Sequence, residues 1–291
     1  MVATRCLSTV RPVRYDSQVA LLEKLGLFMP PAVDAPQFSD LYLDDHSVQP
    51  ALTPIQNELG FLCDWTSLRF SPTYYGASVP HGNGEAVVIV PGFMGTDLSM
   101  MELYWWLARI GYQPYYSELG LNVNCPDISS ETVLSVVRRA ANETGARVHL
   151  IGHSLGALIA RSVAFQHPEL LNMLISLAAP FNDVAYVHPV LIEAMAAVRR
   201  QAGSHLTWHV APACYSGHCT CSFTEHIMRP QRPTFRRYAL YAENDGLVLP
   251  ESCMEEEAEY NVGIQTSHYG IIYSAQAYRE VARLLADYST A

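Results

Sequence analysis

At 291 residues, 49% of them hydrophobic and 16% charged, the chain is long enough for one large α/β domain with an insertion and too apolar for global disorder. Eighteen basic against 28 acidic residues leave a net charge of −10 at pH 7, so nothing in the whole-chain charge attracts a phosphate backbone and nucleic acid is not an expected partner. No stretch reaches the roughly 18 to 20 apolar residues of a spanning helix, and the first ten residues lack the apolar core and cleavage site of a signal peptide. The expected location is therefore the cytoplasm, or outside it if a leader has been removed.

Residues 1–84 read as short helices and loops packed on something else, with helical spacing over 18–27 and prolines breaking the remainder. From Glu85 the pattern changes. Ala86–Val90 is an unbroken apolar, β-branched run, as in a strand buried on both faces. A Gly-rich turn over 91–95 follows, then a helix over 98–110 ending at Gly111, and a short strand over 112–116. A helix is expected over 129–143, capped by Ser129 or Ser130. A strand over 147–151, a helix over 155–165 and a strand over 173–178 come next. After a gap of nearly sixty residues, strands over 237–242 and 261–265 and a helix over 274–288 complete the chain. Alternating strands and helices with long connections predict a mostly parallel sheet with helices on both faces. The division expected is an N-terminal extension over 1–84, a core over 85–180 and 233–291, and an inserted cap over 181–232.

Gly152-His153-Ser154-Leu155-Gly156 fits G-x-S-x-G and lies between an apolar strand and an alanine-rich helix. That is the strand–turn–helix setting in which a serine is lifted above the sheet edge, with glycines on either side because strand and helix leave no room for side chains. A serine nucleophile needs a base, and the base needs an orienting carboxylate. His268 follows the strand over 261–265, and Asp245 follows the strand over 237–242 in a turn that Gly246 permits. Glu243 and Asp183 are the rival acids. The oxyanion requires two fixed donors: the Leu155 amide, and the Phe93 amide in the loop after Ala86–Val90, with Met94 as the less favoured choice. Met94 and Tyr269 are the residues expected to meet substrate. The apolar helix over 190–200 either packs on the core or lines an acyl pocket.

Seven cysteines include Cys214, Cys219, Cys221 and Cys253. Disulfides among these four, buried free thiols, or a four-thiolate zinc site are the competing readings, and the C-x4-C-x-C spacing is unlike a usual zinc knuckle.

Pro91-Gly92-Phe93-Met94-Gly95-Thr96-Asp97 is similar to the His-Gly-x-x-Gly-Thr-Asp oxyanion loop of bacterial triacylglycerol lipases. The elbow at 152–156, the acid turn at 244–248 and the histidine turn at 267–270 also resemble that group. Over residues 85–288 the chain therefore resembles the α/β-hydrolase superfamily and, within it, bacterial lipases and esterases. The resemblance implies an α/β-hydrolase fold, Ser154, Asp245 and His268 as the triad, and Phe93 and Leu155 as oxyanion donors. Pro91 stands where those lipases carry histidine, so the support of that loop differs. Their calcium-binding aspartates have no counterpart near His268, and no metal or other cofactor is expected. A second likeness is to bacterial α/β hydrolases with Cys-x4-Cys-x-Cys in the cap and a further cysteine after the acid turn.

The activity expected is hydrolysis of hydrophobic acyl or polyester-like esters through an acyl-enzyme. Acyl transfer and lactone or amide hydrolysis use the same triad, and a non-catalytic protein of this fold is the reading from another class. A homodimer contact, a lid and a cover for a sheet edge are the open roles for residues 1–84.

Overall fold

The computed structural model describes residues 53–182, 187–202, 209–210, 214, 221–228 and 234–289. The helical pattern over 18–27, Asp183 and Cys219 lie outside them. Six strands form one wholly parallel sheet: β1 (Ala86–Val90), β2 (Gln113–Tyr116), β3 (Val148–His153), β4 (Leu171–Leu177), β5 (Arg236–Ala242) and β6 (Asn261–Ile264), in the order β2-β1-β3-β4-β5-β6. Every residue of β1, β3 and β4 is buried, as in strands covered on both faces; β1 is an unbroken apolar run, whereas β3 carries His149 and His153 and β4 carries Asn172 and Ser176. Register runs from Val90 beside Gly152 to Ala242 beside Ile264, so the ends of the inner strands finish near one level.

Helices cover both faces. Ala86, Val88 and Val90 pack with α3 (Pro126–Thr144) and α4 (Leu155–Gln166). Val87 and Ile89 face the other way, toward α2 (Met101–Arg109) and α7 (Ala275–Ser289). On α7 the apolar stripe Ala277, Tyr278, Val281, Ala282, Leu284 and Leu285 is buried, which places this otherwise polar helix on the sheet. Helix α1 (Phe61–Arg69) packs on the same side through Leu68. Helices α5 (Pro189–Ala202) and α6 (Ser222–Met228) lie in the segment between β4 and β5 that was expected to form a cap.

One start differs from expectation. α3 begins at Pro126, with Cys125 at its cap position, and Ser129 and Ser130 are buried inside the helix. Proline suits the first helical position because its fixed φ fits the turn and its missing N–H would have had no partner there. The Ser130 hydroxyl donates back to the Pro126 carbonyl at 2.8 Å. Among the described residues no helix is long and apolar enough to cross a membrane.

Strand order reverses direction between β1 and β3. The loops leaving their carboxyl ends open a crevice there, the usual position of a ligand site in such a sheet.

Candidate active site

Ser154 sits at the turn from β3 into α4 with φ 52° and ψ −126°, a region that non-glycine residues rarely adopt. Its neighbours hold it there. The Ser154 amide donates to the Leu177 carbonyl at the end of β4, 2.8 Å away. A Cβ on Gly152 would strike the Ala157 backbone, and one on Gly156 would strike the carbonyls of Val90 and Pro91. A Cβ on Gly92 would lie 2.9 Å from His153 Nδ1 and 3.2 Å from the Ser154 Cβ. Three glycines thus let the elbow and the loop after β1 close on each other. Leu155 is the first residue of α4, ahead of the Ala157 amide that makes an early bond of the helix to the Ser154 carbonyl. Its amide belongs to the positive end of the helix dipole.

The acid and the histidine meet in the interior. His268 Nδ1 lies 2.8 Å from Asp245 Oδ2, with both side chains at least 98% buried. The other carboxylate oxygen, Oδ1, accepts from the Leu247 and Val248 amides, each at 2.9 Å. A carboxylate only accepts, so Nδ1 carries the proton and Nε2 is left as the basic nitrogen. Burial works against the imidazolium, but the Asp245 charge and hydrogen bond, with the Glu58 charge, outweigh it and hold the His268 imidazole above its usual range. Of the rival acids, Glu243 is exposed and accepts a hydrogen bond from Gln265.

Several supports of this arrangement carried no signal in the sequence pattern. Glu58, in a 3-10 turn before α1, is buried and accepts from the Gly246 and His268 amides through Oε1 and from the Tyr269 amide through Oε2. The Thr53 hydroxyl donates to the Asn244 and Asp245 carbonyls, and Asp64 accepts from the Thr266 hydroxyl. His153 is fully buried, its Nε2 lies 3.0 Å from the His268 carbonyl oxygen, and burial drives its pKa down to about 3. It is therefore neutral and donates to that carbonyl.

The loop after β1 takes its support from Asn122. The Asn122 side-chain amide donates to the Pro91 carbonyl at 2.8 Å, and its backbone exchanges bonds with Met94 and Gly95. Its position, 31 residues beyond Pro91, has no local pattern that would reveal the link. The Met94 amide is bound to the Asn122 carbonyl at 2.9 Å and is thus engaged within the loop.

A cavity of about 620 Å³ opens on these groups. Ser154, His268, Phe93, Leu155, Met94 and Tyr269 all border it. Leu191, Ile192 and Met195 of α5, and Phe223 and Ile227 of α6, form much of an apolar wall. Helix α5 therefore both packs on the core and lines the cavity, the two roles that had been alternatives. Phe61 of α1, with Ile272 and Tyr273, borders it as well. Cys214 and Cys221 lie on the same wall. Cys253 is a buried free thiol whose Sγ donates to the Leu249 carbonyl at 3.6 Å, which at this position fits the free-thiol reading among the competing ones. Among the described residues, no group of three or more His, Cys, Asp or Glu side chains is placed to hold a metal ion.

No protein-family model and no curated protein sequence matches the chain. Solved structures do. The mature form of the Bacillus licheniformis lipase BlEst2 is 16% identical, with a TM-score of 0.51 over 72% of this chain and 94% of that one. Est1E from Butyrivibrio proteoclasticus is 15% identical, with a TM-score of 0.52 over 73% and 93%. A structure reported with the metagenome-derived lipolytic enzymes LipS and LipT is 14% identical, with a TM-score of 0.51 over 73% and 96%. Together with the parallel sheet and the strand–turn–helix elbow, these likenesses give the chain the α/β-hydrolase fold.

Proposed function

We propose that the protein is a serine carboxylic-ester hydrolase acting on hydrophobic acyl esters. The observation that carries this reading is the buried Asp245–His268 pair, whose histidine borders the same apolar cavity as the strained Ser154. In the reaction, His268 Nε2 takes the hydroxyl proton as Ser154 Oγ attacks the ester carbonyl. Asp245 keeps the imidazole in the tautomer that presents Nε2 and stabilises the imidazolium as it forms. The Phe93 and Leu155 amides receive the oxyanion of the tetrahedral intermediate. The imidazolium returns its proton to the leaving alcohol, and water activated by the same nitrogen releases the acid. The apolar cavity walls favour an acyl chain over a sugar or a peptide.

Hydrolysis of p-nitrophenyl esters from two to sixteen carbons, wild type against Ser154→Ala, tests the reading. Wild-type turnover that the variant loses by about three orders of magnitude or more supports it. Absence of wild-type turnover on every chain length, or an equally active Ser154→Ala, overturns it. Product analysis with added alcohols separates hydrolysis from acyl transfer.

A further inference from the structure

The catalytic acid and histidine sit on separate loops, 23 residues apart, leaving the neighbouring strands β5 and β6. Strand pairing holds these loops together only at their bases. Beyond Ala242 and Ile264 it continues as Glu243 N to Ile264 O at 2.9 Å and Asn244 N to Thr266 O at 3.0 Å. At the level of Asp245 and His268, the link between the two backbones comes from a third part of the chain. Glu58 Oε1 accepts from Gly246 N at 2.8 Å on one loop and from His268 N at 3.1 Å on the other. Its Oε2 accepts from Tyr269 N at 2.9 Å.

Three amides from two loops thus converge on one buried carboxylate, and charge-assisted bonds of this kind are stronger than neutral ones. The approach is close. A Cβ on Gly246 would lie 3.1 Å from Glu58 Oε1 and 3.3 Å from the Ile55 Cα. Gly246 therefore serves contact with Glu58 as well as the turn. Thr53 and Asp64 fasten the same two loops on either side of Glu58.

We propose that Glu58 is a positioning residue, a clamp that holds the acid loop and the histidine loop at the separation that the Asp245–His268 hydrogen bond requires. It acts through backbone amides and does not border the cavity. Its activity readout rests on the ester-hydrolase reading, and its spectroscopic readout does not. The ionisable groups around His268 are Asp245 from the acid loop, Glu58 from the turn before α1, neutral His153 from the end of β3, Tyr269 beside it in the chain, and the Cys253 thiol near Asp245. Glu58 and Asp245 supply the negative charge.

The test compares the full chain with Glu58→Ala and Glu58→Gln. Circular dichroism and thermal melting report folding. Ester kinetics separate kcat from KM, and the downfield proton resonance of the His268 Nδ1–H reports the bond to Asp245. For folded Glu58→Ala the expectation is a fall in kcat of about 100-fold with KM within about three-fold, since roughly an ångström of misplacement carries such a loss. The Nδ1–H resonance moves upfield or broadens. Glu58→Gln keeps one acceptor oxygen and turns an NH2 toward the remaining amide donor or donors, so its kcat falls between the two. Its acidic limb moves to lower pH because a negative charge near the imidazolium is gone. Wild-type kcat with an unshifted resonance in a folded variant overturns the proposal. So does a loss of activity carried by KM with the resonance unchanged. Should Glu58→Ala fail to fold, the near-isosteric Glu58→Gln decides by the same two readouts. If the wild type hydrolyses no ester, the hydrolase reading falls while the resonance still decides for or against the clamp.

Discussion

At the scale of single residues, the buried histidines have opposite relations to pH. His268 is held above its ordinary range, so its base form is lost at a higher pH than an unperturbed imidazole would lose it. The acidic limb of kcat/KM is expected to have its midpoint above about 6.5. Asp245→Asn removes the charge and permits the wrong tautomer. It should lower kcat by about 10⁴ and move that limb to lower pH, whereas Glu243→Gln should leave the profile unchanged. The reverse result in pH–rate profiles would transfer the acid role to Glu243. His149 and His153 behave in the opposite sense. Burial lowers their pKa to about 4 and about 3, so below about pH 6.5 the unfolded chain binds protons that the folded one refuses. Each then removes up to about 1.4 kcal/mol of stability per pH unit as pH falls. His268 contributes with the other sign: its stabilisation is complete below about 6.5 and is lost as pH rises through its raised folded value. Burial also lowers the pKa of His188, so three against one leave a net loss on acidification. Urea unfolding at pH 6.5, 5.5 and 4.5 should show a falling free energy, with a shallower slope in His149→Gln. A flat profile in the wild type would refute the account.

At the scale of elements, the sheet and the elbow were legible because their determinants are local. Unbroken β-branched runs mark strands buried on both faces, and two glycines around a serine mark a turn pressed between strand and helix. The start of α3 was less legible, since two serines look like caps and the proline that opens the helix also reads as a breaker. The glycines separate sharply by what surrounds them. At Gly156 an added Cβ meets the backbone oxygens of Val90 and Pro91, which cannot move without shifting β1. At Gly145 the φ of 65° is strained for any side chain, but a Cβ there meets nothing within 4 Å. Gly145→Ala should therefore cost about 1 kcal/mol, the conformational penalty alone. Gly156→Ala should cost more than about 3 kcal/mol and abolish ester turnover. Chemical denaturation of both variants checks the order, and comparable losses would remove the steric explanation of the elbow.

At the scale of the whole molecule, the supports of the site come from parts of the chain that no local pattern connects. Glu58 reaches amides 188 to 211 residues away, and Thr53 reaches carbonyls 191 and 192 residues away. A lone glutamate in a proline-broken segment carries no periodicity, so only the assembled fold identifies it. The cavity has the same character. Its walls combine α5 and α6, which pack with the core on the α3 and α4 side, with Phe61, Ile272 and Tyr273 from the α1 side of the sheet. Ser154 stands at the sheet edge between these two sets, so a long acyl chain must run along one of them. The α5–α6 side contributes more of the apolar lining, and Met195 and Leu191 are part of it without belonging to the hydrogen-bonded machinery. Enlarging a wall residue excludes methylenes one at a time, each worth about 0.8 kcal/mol of transfer free energy. Met195→Trp is therefore expected to move the optimum of the p-nitrophenyl ester series to shorter chains, with turnover of the two-carbon ester preserved within about three-fold. Phe61→Trp, on the opposite wall, should leave the acyl optimum in place and change the response to the size of the alcohol. A Met195→Trp enzyme with the wild-type chain-length optimum, or one in which only Phe61→Trp shifts it, would put the acyl chain on the α1 side instead.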